Sequence, residues 1–326
     1  MQNREQWIDV AKGALVPLVL LTHVIVSATD AALISADGFW SALHYPLQMS
    51  GVMAIYTYLA GVFVAPRTDN PRAFLQSIFS TLLVPYALWV VIFIMAQEVG
   101  EGVRNEAGTV ASDASLLWTS VGWLWYLYVL AGFHVLALIC RRHRWLLPTI
   151  GIAVVPIAAM EVSLLTKQAC YLLIFYGLGV CRGRQKLPEL PFALPIAAIL
   201  SIAAWAYGLT YFHPATLPIS LLWLIGAADV ARQATGVAAS VLAWMGQRCF
   251  AIYVSHFFFI TATRIVLHKG LGITDFAVHL PLEFAAGLAG SLALLAASQR
   301  LGIAGLLGFG SLPPTWPSRN APLSQA

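Results

Sequence analysis

The chain has 326 residues, of which 60% are hydrophobic and only 10% charged, and its mean hydropathy is +0.79. Soluble domains carry about 25% charged residues, so a water-soluble globular domain is excluded. A formal net charge of +4 scattered along short loops gives no footprint for nucleic acid.

The charges are separated by apolar runs, several of them as long as the roughly 20 residues a helix needs to cross a bilayer. A barrel would instead show alternating segments of about ten residues, and continuous apolar runs satisfy their backbone in lipid as helices. The expected fold is all-α, a polytopic membrane helix bundle of about ten spans with both termini cytoplasmic. In chain order the spans are expected at Val10–Ala28, Leu43–Ala65, Phe74–Gln97, Leu116–Ile139 and Trp145–Met160, then at Ala169–Cys181, Leu190–Tyr207, Pro214–Ala228, Gly246–Leu267 and Ala277–Ala297. Ala169–Cys181 and Pro214–Ala228 are short for spans. Residues 1–308 read as one membrane domain, and 309–326, with Pro313, Pro314 and Pro317, as a disordered cytoplasmic tail. The first 28 residues do not read as a signal peptide, because Glu5 and Asp9 occupy the region that should be basic.

This layout makes a prediction about charge. With the N-terminus inside, fourteen of the eighteen Lys and Arg fall on the inner side, in clusters such as Arg67/Arg72, Arg141/Arg142/Arg144 and Arg182/Arg184/Lys186. Arg104, Lys167 and Lys269 fall outside, and Arg264 lies within a span. Such a bias is the usual mark of cytoplasmic loops. A missed span would invert everything after it and mix the clusters. The four cysteines show neither metal spacing nor the density of a disulfide scaffold, and no metal site is expected.

Titratable groups inside spans are costly and therefore candidates for function. Lys12 and His23 share the first span. Eleven residues at 100° each return to within about 20° of the same face, roughly 16 Å along the axis. A cation thus stands at the cytoplasmic mouth with an imidazole deeper on the same stripe; a snorkelling lysine and a packed histidine are the bland alternative. His256 lies near mid-depth of the ninth span. Arg264, two turns further out, could pair with Glu283 at the outer end of the tenth. Asp9, one turn before Lys12, reads as an ion-pair partner fixing the helix start. His44 sits at the outer mouth of the second span. Glu161 and Lys167 bracket the outer loop before the sixth, and His134 reads as structural or interfacial. The Arg141 cluster satisfies topology and could also meet phosphates or anionic lipid. A histidine with its pKa near operating pH serves as base or nucleophile, and a cationic inner mouth attracts an anionic donor. No P-loop, Gly-rich nucleotide motif or HExxH is present.

The run R-E-Q-W-I-D-V-A-K-G at residues 4–13, followed by V-L-L-T-H ending at His23, resembles the opening of membrane acyltransferase family 3. Asp9, Gly13 and His23 match its pattern. Lys12 replaces the common arginine, as in the subgroup related to fucose 4-O-acetylase. L-H-Y-P-L-Q-M-S-G (43–51) resembles a second family segment, with Gln48 and Met49 in place of a Phe pair; Ala60-Gly61 is the other alignment of its Ser-Gly. Trp125-Tyr126-Leu127 is similar to a W-F-L, and M-G-Q-R-C-F-A-I-Y-V-S-H (245–256) to a late G-x-x-S-x-x-I-Y-x-x-H.

The resemblance implies a membrane O-acyltransferase. It would move an acyl group, acetyl by family habit, from cytosolic acyl-coenzyme A to a hydroxyl of a glycan or small acceptor. No tightly bound cofactor is implied. His23 becomes the essential histidine, with Lys12 its cationic partner toward the donor and His256 an assistant. Arg67, Arg72 and Arg141 become candidate donor-phosphate contacts, and a bacterial cytoplasmic membrane the location. A proton-coupled exporter of a glycan-related solute is the rival reading of the same buried residues. No internal repeat supports it.

Overall fold

The computed structural model of the chain describes residues 6–99, 122–183 and 185–310, and among these there is helix and no strand. The helices are α1 Gln6–Asp30, α2 Phe39–Met49, α3 Val52–Val62, α4 Pro71–Ile78, α5 Val84–Val99, α6 Trp125–Ile139, α7 Leu146–Val154, α8 Leu164–Arg182, α9 Ala193–Ala206, α10 Leu217–Gln233, α11 Gly236–Gln247, α12 Cys249–Ile265 and α13 Phe276–Arg300. Among the described residues, six helical stretches are long and apolar enough to cross a membrane: Gln6–Asp30, Pro71–Ala96, Leu164–Arg182, Pro214–Gln233, Cys249–Gly270 and Phe276–Arg300. Trp125–Ile139, Leu146–Ala159 and Ala193–Ala206 are shorter and apolar. Ile139, Ile152 and Ile199 project from such helices well exposed. A water-soluble surface avoids that pattern, and a lipid-facing one requires it. The chain is thus a polytopic helical membrane protein. Arg4, Arg104, Arg184, Arg319, the start of the expected fourth span and the tail beyond residue 310 lie outside the described residues.

Three expectations are corrected. The second span is two helices, broken at Ser50–Gly51. Gly51 adopts φ +69, which favours a residue without Cβ, and a Cβ there would press on the Trp223 side chain. The sixth is not short: Ser163 caps α8 by accepting from the Thr166 N–H at 3.2 Å, so Lys167 belongs to its first turn rather than to the preceding loop. The eighth continues to Gln233, and α11 occupies residues left between spans.

The chain divides into two compact units, one of residues 1–33 with 227–326 and the other of residues 34–226. In the first, α1 and α11 touch backbone to backbone. A Cβ on Gly13 would land on the Leu242 carbonyl, and one on Gly246 on the Asp9 carbonyl. Small residues allow such approach where lipid offers no hydrophobic drive between helices. Val16 and Leu20 of α1 bury against Met245 and Ile252, with Phe284 and Leu288 of α13 packed on them.

The second unit uses the same device. Gly61 of α3 faces the Tyr176 carbonyl of α8, and Gly179 faces the Tyr58 carbonyl. Breaking a helix between Met49 and Val52 leaves backbone groups without intrahelical partners. The Ala54 N–H donates to the Tyr211 hydroxyl at 3.1 Å, and Ser201 Oγ donates to the Met49 carbonyl at 3.4 Å. Tyr171, Ser220 and Thr216 complete the hydroxyl cluster.

These contacts give two predictions. Gly246→Ala should lower the thermal midpoint in detergent, at a cost of about 1–3 kcal/mol or more. Gly132→Ala, where a Cβ meets nothing within 4 Å, should be neutral or stabilising; equal effects would contradict the packing account. Tyr211→Phe should destabilise by about 1–3 kcal/mol, because it strands the buried Ala54 amide, and an unchanged melting curve would contradict that.

Candidate active site

Lys12 and His23 both ride on α1, whose interior includes Pro17. Proline there removes the bond its N–H would make to the carbonyl four residues back, at Gly13, and bends the helix. The ideal-helix stripe from Lys12 to His23 therefore runs across a proline, where a bend is expected. The imidazole of His23 is half-buried and its ring centroid lies 5.0 Å from that of His256, tilted by 47°. The Phe257 ring stands edge-on at 6.2 Å. His256 is fully buried. Its Nδ1 donates to the Ile252 carbonyl at 2.9 Å. A carbonyl only accepts, so the proton of the neutral ring is on Nδ1 and Nε2 carries a lone pair. The family resemblance makes His256 an assistant to His23, and the structure brings the two rings into contact.

One step further along α1 lies a buried ionic network. Arg264 donates from Nε to Glu283 Oε1 at 3.0 Å and from Nη2 to Glu283 Oε2. The same Nη2 donates to the Val24 carbonyl at 3.2 Å. His279 Nδ1 donates to Glu283 Oε1 at 2.8 Å, and its Nε2 to the Ile273 carbonyl at 2.9 Å. The expected Arg264–Glu283 pair is thus present. His279 was overlooked, although its place four residues before Glu283, one helical turn away, was a usable signal.

At the other end of this unit Asp9 is buried and accepts from Gln247 of α11 at 3.4 Å. That cross-helix contact goes beyond the local ion pair expected of it. Lys12 is half-buried nearby on the same helix. Arg248 stacks over the Trp244 ring at 4.3 Å and Arg232 over Trp7 at 4.4 Å. Cations and aromatic rings so paired suit a membrane interface.

Arg67, Arg72, Arg141 and His44 belong to the second unit. Arg67 is exposed, bonds Ser77 Oγ and lies 5.2 Å over the Phe74 ring. Arg72 and Arg141 are exposed. Arg144 donates to the Ala65 carbonyl at 3.2 Å, and Cys181 Sγ reaches the Arg144 carbonyl at 3.3 Å. The turn at Arg144 thus bonds both the turn after α3 and the end of α8. The charge alternation had assigned the basic turns 65–72, 141–144 and 182–186 to one side of the membrane. His134 is buried, bonded to the Leu130 carbonyl at 2.8 Å and stacked on Phe74, as a structural histidine should be. His44 lies half-buried on α2 with its ring 5.3 Å from Tyr45. Among the described residues no group of three His, Cys, Asp or Glu could hold a metal.

Two histidines in ring contact, beside a buried ionic network, make up the candidate site. No curated protein and no solved structure matches the chain. The acyltransferase 3 family, described as an acyltransferase domain, matches residues 5–298 and so takes in every residue of this site. The chain belongs to the acyltransferase 3 family and is a membrane acyltransferase.

Proposed function

We propose that the chain is an O-acyltransferase taking an acyl group, acetyl by preference, from cytosolic acyl-coenzyme A to a hydroxyl of a glycan or related acceptor. The observation that carries this reading is the His23–His256 ring contact, 5.0 Å between centroids, within the family-matched span of the chain. His23 takes the proton from the acceptor hydroxyl as its oxygen attacks the thioester carbonyl. The tetrahedral intermediate collapses with cleavage of the C–S bond, and the imidazolium returns the proton to the leaving thiolate. The products are an ester and free coenzyme A thiol, with no net proton change.

His256 has a defined part in this scheme. With its proton on Nδ1 held by the Ile252 carbonyl, its Nε2 accepts and does not donate. It is therefore suited to steady a protonated His23 rather than to bond an oxyanion, which needs a donor. Lys12, a point charge on a flexible stem, suits a phosphate of the donor. Arg67, Arg72 and Arg141, on the basic turns of the second unit, are proposed in their own right as residues able to bind phosphate. A bacterial cytoplasmic membrane, with these turns facing the cytosol, is the setting that fits a cytosolic donor.

The exporter reading draws on one observation, the broken α2–α3 helix at Gly51, since discontinuous helices often hold transported solutes. Solute flux in the absence of any acyl-coenzyme A would favour it.

The acyltransferase reading is tested with radiolabelled acetyl-coenzyme A and the full chain in membranes. His23→Ala should lower transfer about 10²–10⁴-fold, the usual worth of a general base, with the melting curve retained. Turnover equal to wild type in that variant would sink the mechanism. Lys12→Gln should raise the KM for the donor more than it lowers kcat; a pure kcat effect would contradict a donor-binding role.

A further inference from the structure

We infer that Arg264, held by Glu283 and His279, is a positioning residue for His23: it fixes the backbone of α1 one residue past the imidazole and thereby the spacing of the His23–His256 pair. Its kinetic consequence rests on the acyl-transfer reading; its geometric consequence does not.

Arg264 is 6% exposed, and Glu283 and His279 are fully buried. Burying ions costs more than apolar side chains of the same volume would, so holding helices together is weak justification for such a network. Its reach is more informative. The guanidinium spans two helices at once, chelating Glu283 of α13 and donating to the Val24 carbonyl of α1. Ser27 Oγ meanwhile donates to the His23 carbonyl at 2.5 Å. The carbonyls of His23 and Val24 both therefore accept a side-chain donor, where an ordinary helical carbonyl serves only the backbone ladder. Extra donors on consecutive carbonyls fix the local path of the helix that carries the imidazole.

The lever is short. Arg264 follows His256 on α12 by eight residues, roughly 12 Å of helix. Beyond the apolar packing of Ile252 on Val16 and Leu20, α12 thus meets α1 ring to ring at His23 and guanidinium to carbonyl at Val24. His279 closes the frame by bonding Glu283 with one nitrogen and the Ile273 carbonyl, in the α12–α13 connection, with the other. Each part ties α1, α12 or α13 to the same carboxylate. Lysine at 264 could neutralise Glu283, but it lacks the planar fork needed to serve Glu283 and Val24 together.

The test compares the full chain in membranes with Arg264→Lys and Arg264→Met, adding Glu283→Gln should either fail to fold. Three quantities are read: the thermal midpoint, kcat and KM for acetyl-coenzyme A, and the rate at which diethyl pyrocarbonate modifies His23, followed by peptide mass spectrometry. The exposed His143 serves as the internal reference. The expected result is that lysine restores the midpoint relative to methionine but not kcat. Misplacement by about 1 Å can cost around 10²-fold, so kcat should fall roughly tenfold to a hundredfold with the donor KM held within about twofold. His23 modification should change about threefold or more against His143. Recovery of both kcat and His23 reactivity by lysine would overturn the inference, leaving a plain ion pair. So would a loss of kcat matched by the loss of folded protein. Absence of transfer in the wild-type chain would refute the acyl-transfer reading alone, because the modification rates still decide the positioning claim.

Discussion

The backbone contact between α1 and α11 is the constraint on which the first unit, with its candidate site, depends. Gly13 and Gly246 each face the other helix's main chain so closely that no side chain fits between them. These two glycines belong to the first and last of the sequence segments that mark the family, more than 200 residues apart. Their contact explains why both are glycine. It also brings the start of α12, three residues past Gly246, against α1, and α12 carries His256. From that contact near its start to the Arg264–Val24 bond, α1 is gripped along its length with His23 between the grips.

Both units meet the same physical demand, that polar groups withdrawn from water find partners inside the protein. In the first unit the demand is set by charge: Glu283 receives Arg264 and His279, and Asp9 receives Gln247. In the second unit it is set by backbone. A helix broken at Gly51 exposes amides and carbonyls, and Tyr211 and Ser201, from distant segments, bond two of them. Irregular backbone at membrane depth is tolerated on those terms alone.

The sequence was most legible where the bilayer dictates it. Apolar runs of bilayer length and the basic clusters between them announced a polytopic helix bundle, and the Arg264–Glu283 pair could be anticipated because an isolated charge within a span needs a partner. Features set by tertiary contact were hidden. The break in the second span turns on one glycine torsion and on a phenol 157 residues away. The extent of α8 turned on the Ser163 cap, and α11 fell in a stretch too polar at its edges to read as a span. Of the site, His23, Lys12 and His256 stood out as titratable groups in apolar helices, and only the fold could show two of them in ring contact. His279 was missed because its role exists only through Glu283. The kink expected at Pro17 modifies a helical-stripe argument that ideal geometry alone had supplied.

The account stands or falls on whether acyl transfer occurs with the stoichiometry that a histidine-mediated proton return requires. The most direct measurement follows purified protein in vesicles given acetyl-coenzyme A and a hydroxylated acceptor extract, counting free thiol released against acetyl ester formed. The account predicts one thiol for each ester, with both falling to background when the acceptor is withheld. Movement of a glycan-related solute across the vesicle membrane with no thiol released, and no ester formed, would contradict it.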